Sequence, residues 1–136
     1  MPRAEDLQAG QVLEPHVVDP VRAEAMKTMA AILHDPNPIH YDVDAVRALG
    51  LGERPVNQGP SNLGYLMEMV IRFAGGAHAL RRIRVRMLGN VFAGDRVECT
   101  GTVAAVDAQA RTAELELQAT SDGRPVLSGS ATIALE

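Results

Sequence analysis

The stretch Asp35-Pro36-Asn37-Pro38-Ile39-His40 sets a carboxylate and an imidazole five residues apart on a segment carrying two prolines. A proline fixes its own φ, lacks an N–H and pushes the residue before it out of the α region. Asp35 and Asn37 are therefore expected in extended or turn geometry, on a stiff loop. A carboxylate and an imidazole held close together can divide one reaction into proton removal and proton delivery, because their surroundings can tune them to opposite roles near neutral pH. On the residues alone, a turn-capping aspartate followed by a surface histidine reads equally well, since Asp, Asn and Pro are ordinary turn formers. His34 could join His40 on a metal, but no third ligand stands at a recognised spacing, so no metal site is expected.

The loop lies between segments of clear periodicity. Gln11 to Val18 reads as a short strand, and Val21, Ala25, Met29 and Ala30, with Met26 and Leu33 beside them, follow helical spacing up to Pro36. Asp42 is a suitable N-cap for a short helix over Val43 to Leu49, with Gly50 just past its end. Pro60 suits the first turn of a third helix, where its missing N–H costs nothing. That helix is apolar nearly all round: Leu63, Leu66, Met67, Val70, Ile71 and Ala74 fill one face, and Tyr65, Met69 and Phe73 extend it. Only Glu68 and Arg72 carry charge, so something large must bury the rest. After Gly75-Gly76 the pattern alternates with period two. Ile83, Val85 and Met87 form one apolar set and Val97, Cys99, Gly101 and Val103 another; Ala113 to Leu117 and Leu127 to Leu135 supply two more. Helices first and strands later predict an α+β fold, with the buried helix in the concave face of a curved antiparallel sheet.

A length of 136 residues suits one domain over 1–136 with its own core. A net charge of −4, with two Phe, two Tyr and no Trp, argues against a nucleic-acid partner, which would call for a basic face and stacking aromatics. No apolar leader and no membrane-length apolar run is present, so a soluble, cytoplasmic protein without a membrane span is expected. The single Cys99 cannot form an internal disulfide and, in its strand pattern, is expected to be a small buried hydrophobe. Arg81, Arg82, Arg84 and Arg86 are better explained as a solvated outer sheet face than as phosphate ligands.

Four features together carry a resemblance: Asp35-x-Asn37-Pro38-x-His40, Glu53-Arg54-Pro55, Gly59 ahead of an apolar helix, and Val91-Phe92-Ala93-Gly94-Asp95. From about Gly10 to the C-terminus the chain resembles the MaoC-like (R)-specific enoyl-CoA hydratase/dehydratase family. The resemblance implies a hotdog fold, a curved antiparallel sheet wrapped around a long central helix. It also implies addition of water to a trans-2-enoyl thioester, giving the (R)-3-hydroxyacyl thioester of fatty acid metabolism, with no metal or redox cofactor. Asp35 would be the base on water, His40 would orient that water and supply the C2 proton, and the Gly59 N–H would stabilise charge on the thioester oxygen. Asn37, Asn57, Gln58 and Met67 would lie on the substrate side, Met67 as core first and acyl-pocket wall second. Gln58 and Pro60 stand where the family mostly has His and Met, and Met67 stands where some members have a serine. The implied partners are an acyl-CoA or acyl-carrier-protein substrate and a second copy of the chain. Alternatives are a 3-hydroxyacyl-carrier-protein dehydratase and a non-catalytic acyl-thioester-binding hotdog subunit.

Overall fold

A proline decides where the first strand can pair. In the computed structural model, which describes residues 1–136, the stretch from Gln11 to Val18 is not one continuous strand. The Val103 N–H donates to the Gln11 carbonyl at 2.8 Å and the Leu13 N–H donates to the Gly101 carbonyl at 2.9 Å. Pro15 then removes a donor, and regular pairing resumes only over His16–Val18, strand β1. The remaining elements are α1 (Ala23–Leu33), α2 (Val43–Ala48), α3 (Gly59–Ala74), β2 (Leu80–Met87), β3 (Val97–Asp107), β4 (Thr112–Ser121) and β5 (Arg124–Ala134). A single 3-10 turn, Pro38–His40, lies between α1 and α2.

The five strands form one antiparallel sheet in the order β1-β3-β4-β5-β2. Its register slips at three points, between Val103 and Ala105, between Ala119 and Thr120, and between Leu80 and Arg82. Such irregularities bend a sheet and sharpen its twist, which lets it curl around a helix. The inward residues of β3, β4 and β5, among them Val97, Cys99, Leu115, Leu127 and Ile133, pack on Leu66, Met69, Val70 and Ala74 of α3. This is the α+β arrangement expected from the periodicity. Small residues set how closely α3 can approach: a Cβ on Gly101 would sit 3.1 Å from Met69 Cε and 3.2 Å from Leu117 Cδ2. Cys99 is fully buried, and burial pushes its thiol up to about 12, so it stays protonated and packs as a hydrophobe.

The core covers only part of α3. Leu63, Met67 and Ile71, spaced four apart along one side of the helix, are half-buried. The outer edge of β2 has no neighbouring strand, and Met87 and Leu88 at its end are about half exposed. No helix is long and apolar enough to cross a membrane.

Candidate active site

α1 delivers Asp35. Its last turn closes with His34 in the left-handed region at φ 52°, and the Asp35 N–H donates back to the Ala30 carbonyl at 2.9 Å, a Schellman-type ending that fixes the backbone of Asp35. Two side-chain turns follow. Asp35 Oδ1 accepts from the Asn37 N–H at 3.0 Å, and Asn37 Oδ1 accepts from the Ile39 N–H at 3.3 Å. With Pro36 and Pro38 holding φ, these turns fold the loop back until His40 Nε2 lies 3.1 Å from Asp35 Oδ2. Asn37 thus reaches the site through its backbone N–H, while its side chain caps the 3-10 turn.

Val56 decides the tautomer of His40. The Nδ1 atom lies 2.6 Å from the Val56 carbonyl oxygen, which can only accept, so Nδ1 carries a hydrogen and Nε2 is the nitrogen turned to the carboxylate. Any proton between the two residues therefore lies between Nε2 and Oδ2. The imidazole is buried, with 8% of its side chain exposed, whereas 32% of the Asp35 side chain is exposed. Water can reach the carboxylate while the ring is held in protein.

The segment carrying Val56 runs on into α3. The Val56 N–H donates to the Ile39 carbonyl at 2.9 Å and the Asn57 N–H to the Val91 carbonyl at 2.7 Å. Gln58 is the N-cap residue of α3, and its carbonyl accepts from the Ser61 and Asn62 N–H groups at 3.1 and 3.2 Å. Pro60 has no N–H. The Gly59 N–H is consequently the one donor of the first helical turn without an acceptor, at the end of the helix where the dipole favours negative charge.

The other residues expected on the substrate side fall into different settings. The Gln58 side chain is buried and donates from Nε2 to the Met26 carbonyl of α1 at 2.8 Å, while its Oε1 is the one fully buried side-chain polar atom without a partner. Asn57 is buried too, and its Nδ2 donates to Asn62 Oδ1 at 2.7 Å and to the Tyr65 hydroxyl at 3.1 Å. Met67 is half-buried two turns into α3. Sequence reasoning missed Asn62 and Tyr65. The available signal was an amide three residues before a hydroxyl on a helix whose neighbouring positions are apolar, which puts both on one face.

A second polar cluster braces this frame. Asp95 is fully buried; its Oδ1 accepts from Arg54 Nη1 at 2.7 Å, and its Oδ2 accepts from the Ser121 hydroxyl at 2.7 Å and the Phe92 N–H at 3.0 Å. Arg54 also lies over the Phe92 ring, 5.3 Å from its centroid. The Glu53-Arg54-Pro55 loop is thereby pinned to the Val91–Asp95 turn, next to the Val56 carbonyl that holds His40. Burial alone would raise the Asp95 carboxyl, but the Ser121 hydroxyl, the Phe92 N–H and Arg54 outweigh it and hold the group below the ordinary carboxylate range. A carboxyl depressed in the folded state stabilises the fold fully above its unfolded pKa of about 4, and that contribution is lost as pH falls through the lower folded value. Asp95→Asn puts an NH2 against donors or removes the charge facing Arg54, and a cost of about 2–4 kcal/mol is expected. Thermal melts across pH check this: the variant should melt lower at pH 7 and lose less than wild type on acidification. Parallel acid limbs in the two proteins would remove Asp95 as their cause.

The comparisons with known proteins bear on this frame. A family model described as "MaoC like domain" matches residues 6–124. No curated protein matches the chain. Among solved structures, an (R)-hydratase from A. caviae involved in PHA biosynthesis is 22% identical with a TM-score of 0.86, over 97% of this chain and 99% of that one. A MaoC-like dehydratase is 21% identical with a TM-score of 0.93 over 99% of this chain, which spans 42% of the longer protein. The C-terminally truncated HadBC complex from Mycobacterium tuberculosis, a 3R-hydroxyacyl-ACP dehydratase, is 19% identical with a TM-score of 0.69, over 92% of this chain and 95% of that one. At these identities the solved structures establish the hotdog fold, and the match over residues 6–124 establishes that the chain belongs to the MaoC-like domain family.

Proposed function

We propose that the protein hydrates a trans-2-enoyl thioester to the (R)-3-hydroxyacyl thioester and catalyses the reverse dehydration. The observation that carries this reading is the 3.1 Å approach of His40 Nε2 to Asp35 Oδ2, with Nδ1 committed to Val56. In the forward direction Asp35 takes a proton from water as the oxygen bonds to C3. The electrons of the C2=C3 bond move onto the thioester oxygen, where the unpaired Gly59 N–H stabilises the charge. The proton taken up by Asp35 passes to Nε2 across the short contact, and His40 delivers it from Nε2 to C2. One water is consumed and both side chains end as they began. Coenzyme A and carrier-protein thioesters offer the same reacting group, so either could be the substrate.

Purified protein with a panel of trans-2-enoyl-CoA chain lengths, followed by chiral analysis, tests the reading. Accumulation of the (R)-3-hydroxyacyl-CoA is expected. Release of free coenzyme A without hydration, or an (S) product, would move the protein to another reaction.

The same reading includes a homodimer. The unpaired outer edge of β2 is a template for another strand, and Met87 near that edge comes within 3.5 Å of where a Cβ on Gly59 would stand. A second copy along β2 would therefore cover apolar surface beside the first turn of α3. Sedimentation at micromolar concentration should give twice the chain mass of 14.5 kDa, and a monomer would refute the pairing.

A further inference from the structure

Four of the six buried polar residues, His40, Asn57, Gln58 and Asn62, lie in or around the loop and first turn that precede the body of α3. His40 and Gln58 have roles in the frame already described; Asn57 and Asn62, with Tyr65, do not. Asn57 spends both amide hydrogens, one on Asn62 Oδ1 at 2.7 Å and one on the Tyr65 oxygen at 3.1 Å. Three valences stay open as a result. Asn62 is oriented with Nδ2 unpaired, Tyr65 accepts and keeps its own O–H to donate, and Asn57 Oδ1 has no donor. Asn57 and Asn62 are 6% and 4% exposed. Since Gln58 Oε1 is the only fully buried side-chain polar atom lacking a partner, the unpaired Asn62 Nδ2 and Asn57 Oδ1 still reach accessible surface, and Tyr65 beside them is half-buried.

Buried amides and hydroxyls are costly to leave half-used, and a network of three with two free donors side by side is poorly explained by packing alone. An oxygen brought in by a ligand would accept from Asn62 Nδ2 and the Tyr65 hydroxyl together. Asn57 follows Val56, whose carbonyl holds His40, and Asn62 and Tyr65 lie in the first two turns of the helix that begins at Gly59. The trio is therefore within reach of the chain attached to a thioester held there. From this we infer that Asn57, Asn62 and Tyr65 form a subsite for an acyl group bearing a hydroxyl or keto oxygen beyond the reacting carbons, in preference to a plain hydrocarbon chain. This rests on the hydratase/dehydratase reading and narrows its substrate class.

The test compares trans-2-enoyl-CoA thioesters of equal length with and without a hydroxyl or keto group at successive positions from C5 to C8. For at least one position, wild type should favour the oxygenated thioester by about tenfold or more in kcat/KM, because a site built to bond an oxygen rejects the analogue lacking it. In Asn62→Leu and Tyr65→Phe that ratio should fall to about threefold or less, and using a ratio within each variant cancels any general loss of folded enzyme. Equal rates on every wild-type pair, or equal loss on both members of a pair in the variants, would overturn the inference. Calorimetric binding of the matching saturated acyl-CoA pairs separates its failure from failure of the hydration reading. A preference in binding that the variants lose, without turnover of any enoyl thioester, would keep the subsite and remove the reaction; equal binding of both members would remove the subsite whether or not hydration occurs.

Discussion

Asp35→Asn and His40→Asn should each slow hydration by about a thousand- to ten-thousandfold, at the upper end of what positioned acid–base groups contribute, with melting temperatures close to wild type. The substitutions are chosen for shape. Asn at 35 retains an oxygen for the Asn37 N–H, and Asn at 40 places an amide nitrogen where Nδ1 donates to the Val56 carbonyl, so each keeps its structural bond and loses only the group facing the other residue. The double variant should be little worse than the worse single one, because a proton passed across one contact needs both ends of it and residues acting as a unit are strongly non-additive. Stopped assays of turnover with circular dichroism on all three variants decide the matter. Near-wild-type turnover by either single variant would end the assignment of this pair to the chemistry, and additive losses would mean the two residues act independently.

What the sequence made legible divides along physical lines. Short-range causes could be read directly: prolines 36 and 38 stiffen the loop, Asp42 accepts from the Asp44 N–H as an N-cap should, and Gly75 takes φ 78° where the helix stops. The alternation of small and branched residues gave four strands, but the structure extends each of them beyond its alternating stretch. Pairing with a neighbour supplies backbone bonds that no local pattern records. Pro15 is the opposite case, a local signal strong enough to break the strand expected through it. The pairing of Asp35 with His40 was open on the residues alone, where a turn-capping aspartate and a surface histidine read equally well, and it was the resemblance that favoured the contact seen at 3.1 Å. The Val56 partner of His40 was not legible, because a carbonyl sixteen residues away has no side-chain signature. Asn57 and Gln58 were singled out for adjoining Gly59, yet their contacts with Asn62, Tyr65 and Met26 depend on how α1 and α3 pack, which periodicity does not specify. Asn62 and Tyr65 were hidden by the apolar character of the helix around them.

The Gly59 backbone offers the second large effect. Gly59→Pro removes the only unpaired N–H of the first helical turn, and loss of one such donor typically costs about a hundred- to a thousandfold in kcat. Gly59→Ala is the matching control. The φ of Gly59 lies outside the left-handed region and an added Cβ would meet only Met87 Cε at 3.5 Å, ordinary contact, so alanine keeps the N–H and should keep most of the activity. The two variants differ in the donor far more than in bulk. Proline at this position also constrains Gln58 to extended backbone, but Gln58 already stands at φ −65° and ψ 140°, which a following proline favours. The helix start should therefore survive, as circular dichroism and melting would show. A folded Gly59→Pro variant turning over near the wild-type rate would show that the thioester oxygen is held by another group. The unpaired Asn62 Nδ2 is then the first atom to remove: a uniform fall in kcat for Asn62→Leu, on plain and oxygenated thioesters alike, would give it the oxyanion role and withdraw it from the acyl subsite.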